Sequence, residues 1–357
     1  MKKTWRWFGK SDNITLDMLR QIGVEGIVTA LHHIPNGEVW PLDEIQDRKR
    51  YIEFFGMEWC VVEILPVSKE IKYGGAQRDR LIDNYIKSME NLSKAGVATI
   101  CYNFMPVIDW VRTDLYYNNE DGTSTLYFDK VRFAYFDCFI LKRKDAEKDY
   151  SSEEMKQVYE LDKTITEKEK EELINTIIVI TQGFINGNIK EGELNPVDRF
   201  NSLLSLYNNI DKDKLRDNLK YFLTRVIPFA EKLNINLCIH PDDPPFSVLG
   251  LPRIVTSIEL AQLFAHRTHF VHLRSTNIKD NGDFLEASHL EGRGHLIDVV
   301  QIFEKINPSL PMRVDHGKMM LGDEDKGYNP GYSFHGRMYA LAQMDGVIAT
   351  VRKISNQ

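Results

Sequence analysis

Residues 211–245, DKDKLRDNLKYFLTRVIPFAEKLNINLCIHPDDPP, decide the fold. Over 211–233 apolar residues recur at helical spacing against a charged background, which predicts an amphipathic helix. That helix runs straight into NINLCIH at 234–240, a short apolar run closed by His240 and a proline-rich turn. A surface helix followed by a strand that is apolar on both faces is the repeating unit of a helix-covered parallel sheet.

The unit recurs in both directions. Upstream, GIVTAL (26–31), EWCVVEI (58–64) and VATICYNF (97–104) follow helices at about 15–22, 42–55 and 79–95, with WRWF (5–8) as a first strand. Gly23, Gly56 and Gly96 stand where those helices must stop, and glycine tolerates the left-handed conformation that ends a helix. Downstream come a helix at about 256–266, THFVHL (268–273), a helix at about 295–305, PMRVDH (311–316) and a helix at about 333–344. No GxGxxG follows a strand, which disfavours a dinucleotide fold. The expectation is an α/β protein, a (β/α)8 TIM barrel, with residues 1–357 as one domain. A closed barrel needs eight strands and seven are found, with room for only one helix between the fifth and sixth. Residues 106–210 interrupt the rhythm and read as a mostly helical insertion above the barrel mouth, contributing a lid or subunit contacts. Its charged stretch DAEKDYSSEEMKQVYELDKTITEKEKEEL is expected to be solvated helix surface.

Bulk properties narrow the function. The 357 residues are 43% hydrophobic and 27% charged, with a formal net charge of −7. A soluble globular protein is implied, and nucleic acid is an unfavourable partner because no basic excess displaces counterions. A local cationic pocket for an anionic small molecule remains compatible with that charge. Cys60, Cys101, Cys138 and Cys238 form no CxxC pair and are expected to be reduced thiols. MKKTWRWFGK lacks an apolar signal stretch, and no run of membrane-spanning length occurs, so a cytoplasmic protein without membrane contact is expected.

In α/β barrels chemistry sits at the C-terminal ends of the strands. Three successive runs end in His240, in His272, and in Asp315 with His316. Imidazole and carboxylate together suit Mn, Fe, Co or Zn, and the same groups can also do acid–base work without metal. Asp242 and Asp243 follow His240, either as partners of its second nitrogen or as turn-forming residues. Arg6, His33, Glu63, Asn103 and Arg274 also stand at strand ends and are candidate binding groups. Of His32 and His33 one is expected to face the pocket and the other away. Arginine matches a substrate carboxylate through its two-pronged fork. The five tryptophans are expected in the core or pocket wall.

Several long strings then carry a resemblance: TWRWFG, VTALHHIPNGEVW, CYNFMPVIDWVRTDL, IHPDDPP, GLPRIV, FVHLRST, RVDHGKMM and GYNPGYS. In this order, and over nearly the whole chain, they resemble the mannonate dehydratase family of the bacterial hexuronate pathway. The resemblance implies a xylose-isomerase-like barrel that converts D-mannonate to 2-keto-3-deoxy-D-gluconate with Mn2+, Fe2+ or a similar divalent ion. It implies His240, His272 and Asp315 as metal ligands beside one cysteine, and His316 and Tyr332 as the catalytic acid and base. The sequence departs from the family at one place. The family carries a CTGS-like strand, source of the cysteine ligand, between GLPRIV and HLRS. Here IVTSIEL runs almost at once into AQLFAHRTHFVHLRS. The absent run would be the sixth of eight. Loss of one unit would expose unpaired strand edges, so the sequence is expected to lack a segment of the full protein. Cys238, on the same strand as His240, is a poor substitute for the absent ligand because the two would crowd one place. A metal-dependent sugar isomerase or epimerase, or a non-catalytic sugar-acid binder, are the alternatives, and a homodimer is expected.

Overall fold

A computed structural model describes residues 1–182, 189, 192, 194–255 and 265–355. Seven strands form one parallel sheet: β1 Lys2–Arg6, β2 Gly26–Thr29, β3 Glu58–Glu63, β4 Thr99–Tyr102, β7 Asn236–Ile239, β8 Val271–Leu273 and β11 Pro311–Val314. Every strand expected for the barrel is among them. The order is β7-β4-β3-β2-β1-β11-β8. The first strand therefore pairs with both the second, through Trp5 and Ile27, and the last, through Lys3 and Met312. Such an order belongs to a sheet that curls back on itself. Among the described residues its two rims are β7 and β8.

β1 lies earlier than WRWF suggested. The chain leaves the sheet at Phe8, whose backbone N–H donates to Asp12 Oδ2 at 2.9 Å in a tight turn. Helices Leu16–Gln21, Leu42–Phe54 and Arg78–Lys94 end as expected at left-handed Gly23, Gly56 and Gly96, with φ of 76°, 77° and 75°. Helix Lys212–Lys232 is capped by Asp211, which accepts from the Lys214 N–H at 2.7 Å, and it buries Leu215, Phe222, Val226 and Ala230. These side chains join the main core under the sheet with Trp5, Ile27, Trp59, Ile100 and Met312. All five tryptophans are buried, and all four cysteines are free. The expected helix at 256–266 lies outside the described residues up to 264, and Ala265–Arg267 forms one 3-10 turn. The last helix, Phe334–Ser355, runs well beyond 344.

The insertion differs from expectation at its start. β5 Asp114–Asn118 and β6 Ser124–Phe128 form a hairpin, and β9 Thr276–Ile278 and β10 Phe284–Glu286 extend it into an antiparallel sheet of order β5-β6-β10-β9. The turn between β5 and β6 holds Asp121 and a left-handed Gly122, the chemistry of a hairpin loop. Tyr117 stacks on Tyr127 across the pair at 4.4 Å. Beyond it, helices Ser152–Asp162 and Glu167–Ile174 each begin with a capping box, Ser151 with Glu154 and Thr166 with Glu169. A second core, including Phe128, Phe136, Val158, Ile177 and Phe200, also takes in Val248 and Leu251 from the chain after β7 and Phe284 from β10. The insertion is thereby packed onto loops at the C-terminal ends of the parallel strands. Among the described residues no helix is long and apolar enough to cross a membrane.

Candidate active site

His240, directly after β7, and His272, within β8, meet across the two rims of the sheet, their ring centroids 4.6 Å apart in an edge-to-face arrangement. Glu63, the last residue of β3, completes a group whose ligand atoms all lie within 4.8 Å of one another. Each imidazole has Nδ1 beside an acceptor: His240 Nδ1 is 2.6 Å from the Pro241 carbonyl oxygen, and His272 Nδ1 is 3.2 Å from Glu63 Oε1. For His240, an Nδ1–H donated to that carbonyl leaves Nε2 with the lone pair that binds metal. Burial, then neighbouring His272, lowers the pKa of His240, which keeps its imidazole neutral as a ligand must be.

Asp315, the third expected ligand, is not in that group. Arg313, two residues earlier in the chain, connects the two. Its guanidinium donates to Glu63 at 2.8 and 2.9 Å, to Asp315 Oδ1 at 2.6 Å, and lies 2.7 Å from His272 Nδ1. Histidine and both carboxylates therefore converge on one buried cation. Arg6 adds a second, 3.0 Å from Glu63 Oε2. Burial pushes the Glu63 carboxyl up, but Arg313 and Arg6 outweigh it and hold it well below the usual range. Glu63 has both oxygens engaged, whereas Asp315 Oδ2 faces Arg274 at 3.7 Å.

The candidate acid–base pair is brought together beside Asp315. The Tyr332 hydroxyl donates to Asp315 Oδ1 at 3.3 Å, and the rings of His316 and Tyr332 meet edge to face at 5.1 Å. Gly331, left-handed at φ 78°, allows this approach: a Cβ there would lie 3.0 Å from His316 Cδ2 and 2.8 Å from Leu126 Cδ1. Burial, then the charge of Asp315, raises the Tyr332 pKa, so the phenol stays protonated near neutral pH. His316 Nδ1 is 3.1 Å from Glu286 Oε1, and Trp110 packs on its ring at 5.5 Å.

Arg274 reaches the same place, donating to Asp243 at 2.7 Å and lying 3.7 Å from Glu286. Arg112, fully buried, bonds Glu286 at 2.7 Å and both oxygens of Asp243 at 3.3 Å. Asn103 lies close by, accepting from Lys72 Nζ at 2.8 Å and donating to Asp109. Burial lowers the Lys72 pKa to about 8 and raises that of Asp109.

Two expected binding residues are placed otherwise. Asp242 Oδ2 accepts the backbone N–H groups of Ile254 and Val255 at 2.7 and 2.8 Å, so its carboxylate fastens the loop after β7. This is the turn-forming role left open by the sequence. His33 turns to the surface and pairs with Glu44 on helix Leu42–Phe54, while His32 keeps company with Phe8, 5.8 Å away. Burial, then Arg6 and Arg48, pushes the His32 pKa down to about 3, although the residue keeps accessible surface. Cys238 packs beside Phe270, Val61 and Cys101, and burial lifts its thiol to about 12, unlike a metal-binding thiolate. Arg313 was missed, although its i, i+2 spacing from Asp315 marked it as sharing a face. Arg112, Glu286 and Lys72 stood outside the strand-end rule and carried no such mark.

Residues 1–264 and 258–357 match the family described as D-mannonate dehydratase (UxuA). The mannonate dehydratase of Marinomonas sp. (strain MWYL1) is 41% identical over 390 aligned positions, which cover 97% of this chain and 98% of the relative. That of Chromohalobacter salexigens is 38% identical over 397 positions, covering 99% and 100%. The crystal structure of mannonate dehydratase from Streptococcus suis serotype 2 matches with a TM-score of 0.77 at 27% identity, covering 100% of this chain and 96% of that one. In both alignments about 40 positions of the relative face no residue among the 357 here. The family match itself breaks into two pieces at 258–264, between β7 and β8.

Proposed function

The chain belongs to the D-mannonate dehydratase family, and from that premise we propose that it removes water from D-mannonate to give 2-keto-3-deoxy-D-gluconate, in hexuronate catabolism. The observation that supports this most directly is the contact of Tyr332 and His316 with each other, and of Tyr332 with Asp315, beside the two facing imidazoles.

His240 through Nε2 and His272, with Asp315 through Oδ2, are the residues that would hold a divalent cation. Two imidazoles and a carboxylate suit Mn2+ or Fe2+. Such an ion would supply positive charge for the substrate carboxylate and for the charge that develops when the C2 proton leaves. Glu63 serves as the outer partner of His272, its own charge balanced by Arg6 and Arg313. His316, with Nδ1 engaged, presents Nε2 as the base for the C2 proton. Tyr332, kept protonated, donates to the departing C3 hydroxyl. Arg274 and Asn103 bind substrate oxygens. The antiparallel sheet and the rest of the 106–210 insertion cover the mouth and exclude water. The same reading takes the parallel sheet as a (β/α)8 barrel short of its sixth unit, and the protein as a cytoplasmic homodimer.

The test is formation of 2-keto-3-deoxy-D-gluconate from D-mannonate by purified protein supplied with Mn2+. Loss of turnover in His316→Ala and in Tyr332→Phe, with metal retained, is the expected result; near-normal rates in both would remove the assignment. The division of the family match into two segments and the position of β7 and β8 at the rims of the sheet among the described residues favour a second reading, a sugar-acid binder without its fourth ligand. Binding of mannonate without turnover in wild-type protein would select it.

A further inference from the structure

Glu286 ends β10, outside the parallel sheet that carries the other candidate groups. Its Oε1 lies 3.1 Å from His316 Nδ1 and 2.7 Å from Arg112 Nη2. Its Oε2, also buried, has no hydrogen-bond partner among the described residues and faces Arg274 Nε at 3.7 Å. Burial pushes this carboxyl up, but Arg274 and Arg112 outweigh it and bring the pKa down to about 2. Glu286 is therefore an anion at neutral pH, and its nearest hydrogen-bond donors are a guanidinium and the imidazole.

A neutral imidazole carries one N–H, and its position decides which nitrogen can accept a proton. We propose that Glu286 is the positioning residue for His316: it accepts the Nδ1–H and so leaves the Nε2 lone pair toward the reacting carbon. Trp110 at 5.5 Å and Tyr332 at 5.1 Å confine the ring plane, and Glu286 selects the tautomer within that plane. Arg112 holds Glu286 with one hand and Asp243 with the other. Orientation of the base is thereby tied to docking of the antiparallel sheet on the chain after β7. The kinetic consequence rests on the proposed role of His316; the tautomer does not.

Glu286→Leu removes the acceptor, and Glu286→Gln keeps one. In Mn2+-loaded protein, Glu286→Leu is expected to lower kcat by ~10- to 100-fold, as loss of such an outer partner does, with KM within about threefold and metal content unchanged. Glu286→Gln should recover most of that loss. In a His316→Ala background Glu286→Leu should change the residual rate less than about twofold, because the two act as one unit. Full additivity there would overturn the proposal in favour of a purely structural role. A long-range 1H–15N spectrum, with His316 assigned by its loss in His316→Ala, reads the tautomer without turnover. Protonation at Nδ1 in wild type, and a mixture in Glu286→Leu, is expected. Protonation of wild-type His316 at Nε2 would overturn the proposal. The Nδ1–H tautomer in protein inert toward mannonate would instead sink the dehydratase reading and leave the positioning role standing.

Discussion

Replacing Arg112 by Met should destabilise the protein more than any surface change, and the size follows from its contacts. The side chain is fully buried, touches Asp243 through both oxygens at 3.3 Å and Glu286 at 2.7 Å, and joins the antiparallel sheet to the chain after β7. Removing one member of a buried ionic group strands its partners and costs about 3–5 kcal/mol. Arg274 still reaches Asp243 at 2.7 Å and lies 3.7 Å from Glu286, so the lower end, ~3 kcal/mol, applies here. An unfolding entropy of ~2.1 cal/mol/K per residue over 357 residues is roughly 0.75 kcal/mol/K, which converts that loss to a fall in Tm of about 4 °C. Differential scanning calorimetry at pH 7 measures it, with Arg112→Lys expected to fall between, since a point charge replaces a two-pronged donor. A Tm for Arg112→Met within 1 °C of wild type, or above it, would refute the claim that this network is strained by losing its central cation.

Other outcomes follow from the same geometry. His272→Ala and Asp315→Ala should each lose most of their bound Mn2+ on desalting, read by plasma mass spectrometry; full occupancy in either variant removes that residue from the ligand set. Because the folded pKa values of Glu63, Asp315 and Glu286 lie below the ordinary 4.5 and 3.8, their stabilising contribution is complete above those values and is lost as pH falls toward 2. Tm should therefore drop between pH 4.5 and 2.5, and a flat profile would contradict the buried pairs. His33→Ala should leave KM for mannonate within about twofold, since an exposed pair with Glu44 contributes little; a tenfold rise would return His33 to the binding site.

The parallel sheet was legible because most of its strands are short apolar runs behind a helix, and Gly23, Gly56 and Gly96 marked three of the stops. The antiparallel sheet was not. β9 and β10 are three residues each, too short to show a period, and β10 finds β6 only after the chain has traversed the insertion. The hairpin signal at Asp121-Gly122 was present but lay within a polar block. In the site, strand ends identified His240, His272, Asp315 and His316. Their relation to Arg313 and Glu286 depends on packing between distant segments, which no local pattern encodes. Which way His33 points was not legible, because adjacent residues beyond a strand end have no fixed alternation, and its partner Glu44 lies on a separate helix.

β1 has one neighbour close in sequence and another, β11, about 300 residues later. A ribosome extends the chain from the N-terminus, so Lys3 must wait for Met312 to emerge before their backbones can join. Through most of synthesis one side of β1 stays open, with Trp5 and Ile27 already translated. Seam formation of this kind is slow, because the loop to be closed is about 300 residues long. Nascent chains stalled before residue 311 would therefore be the species that chaperones meet, and release of the last helix would mark the moment when the molecule escapes them.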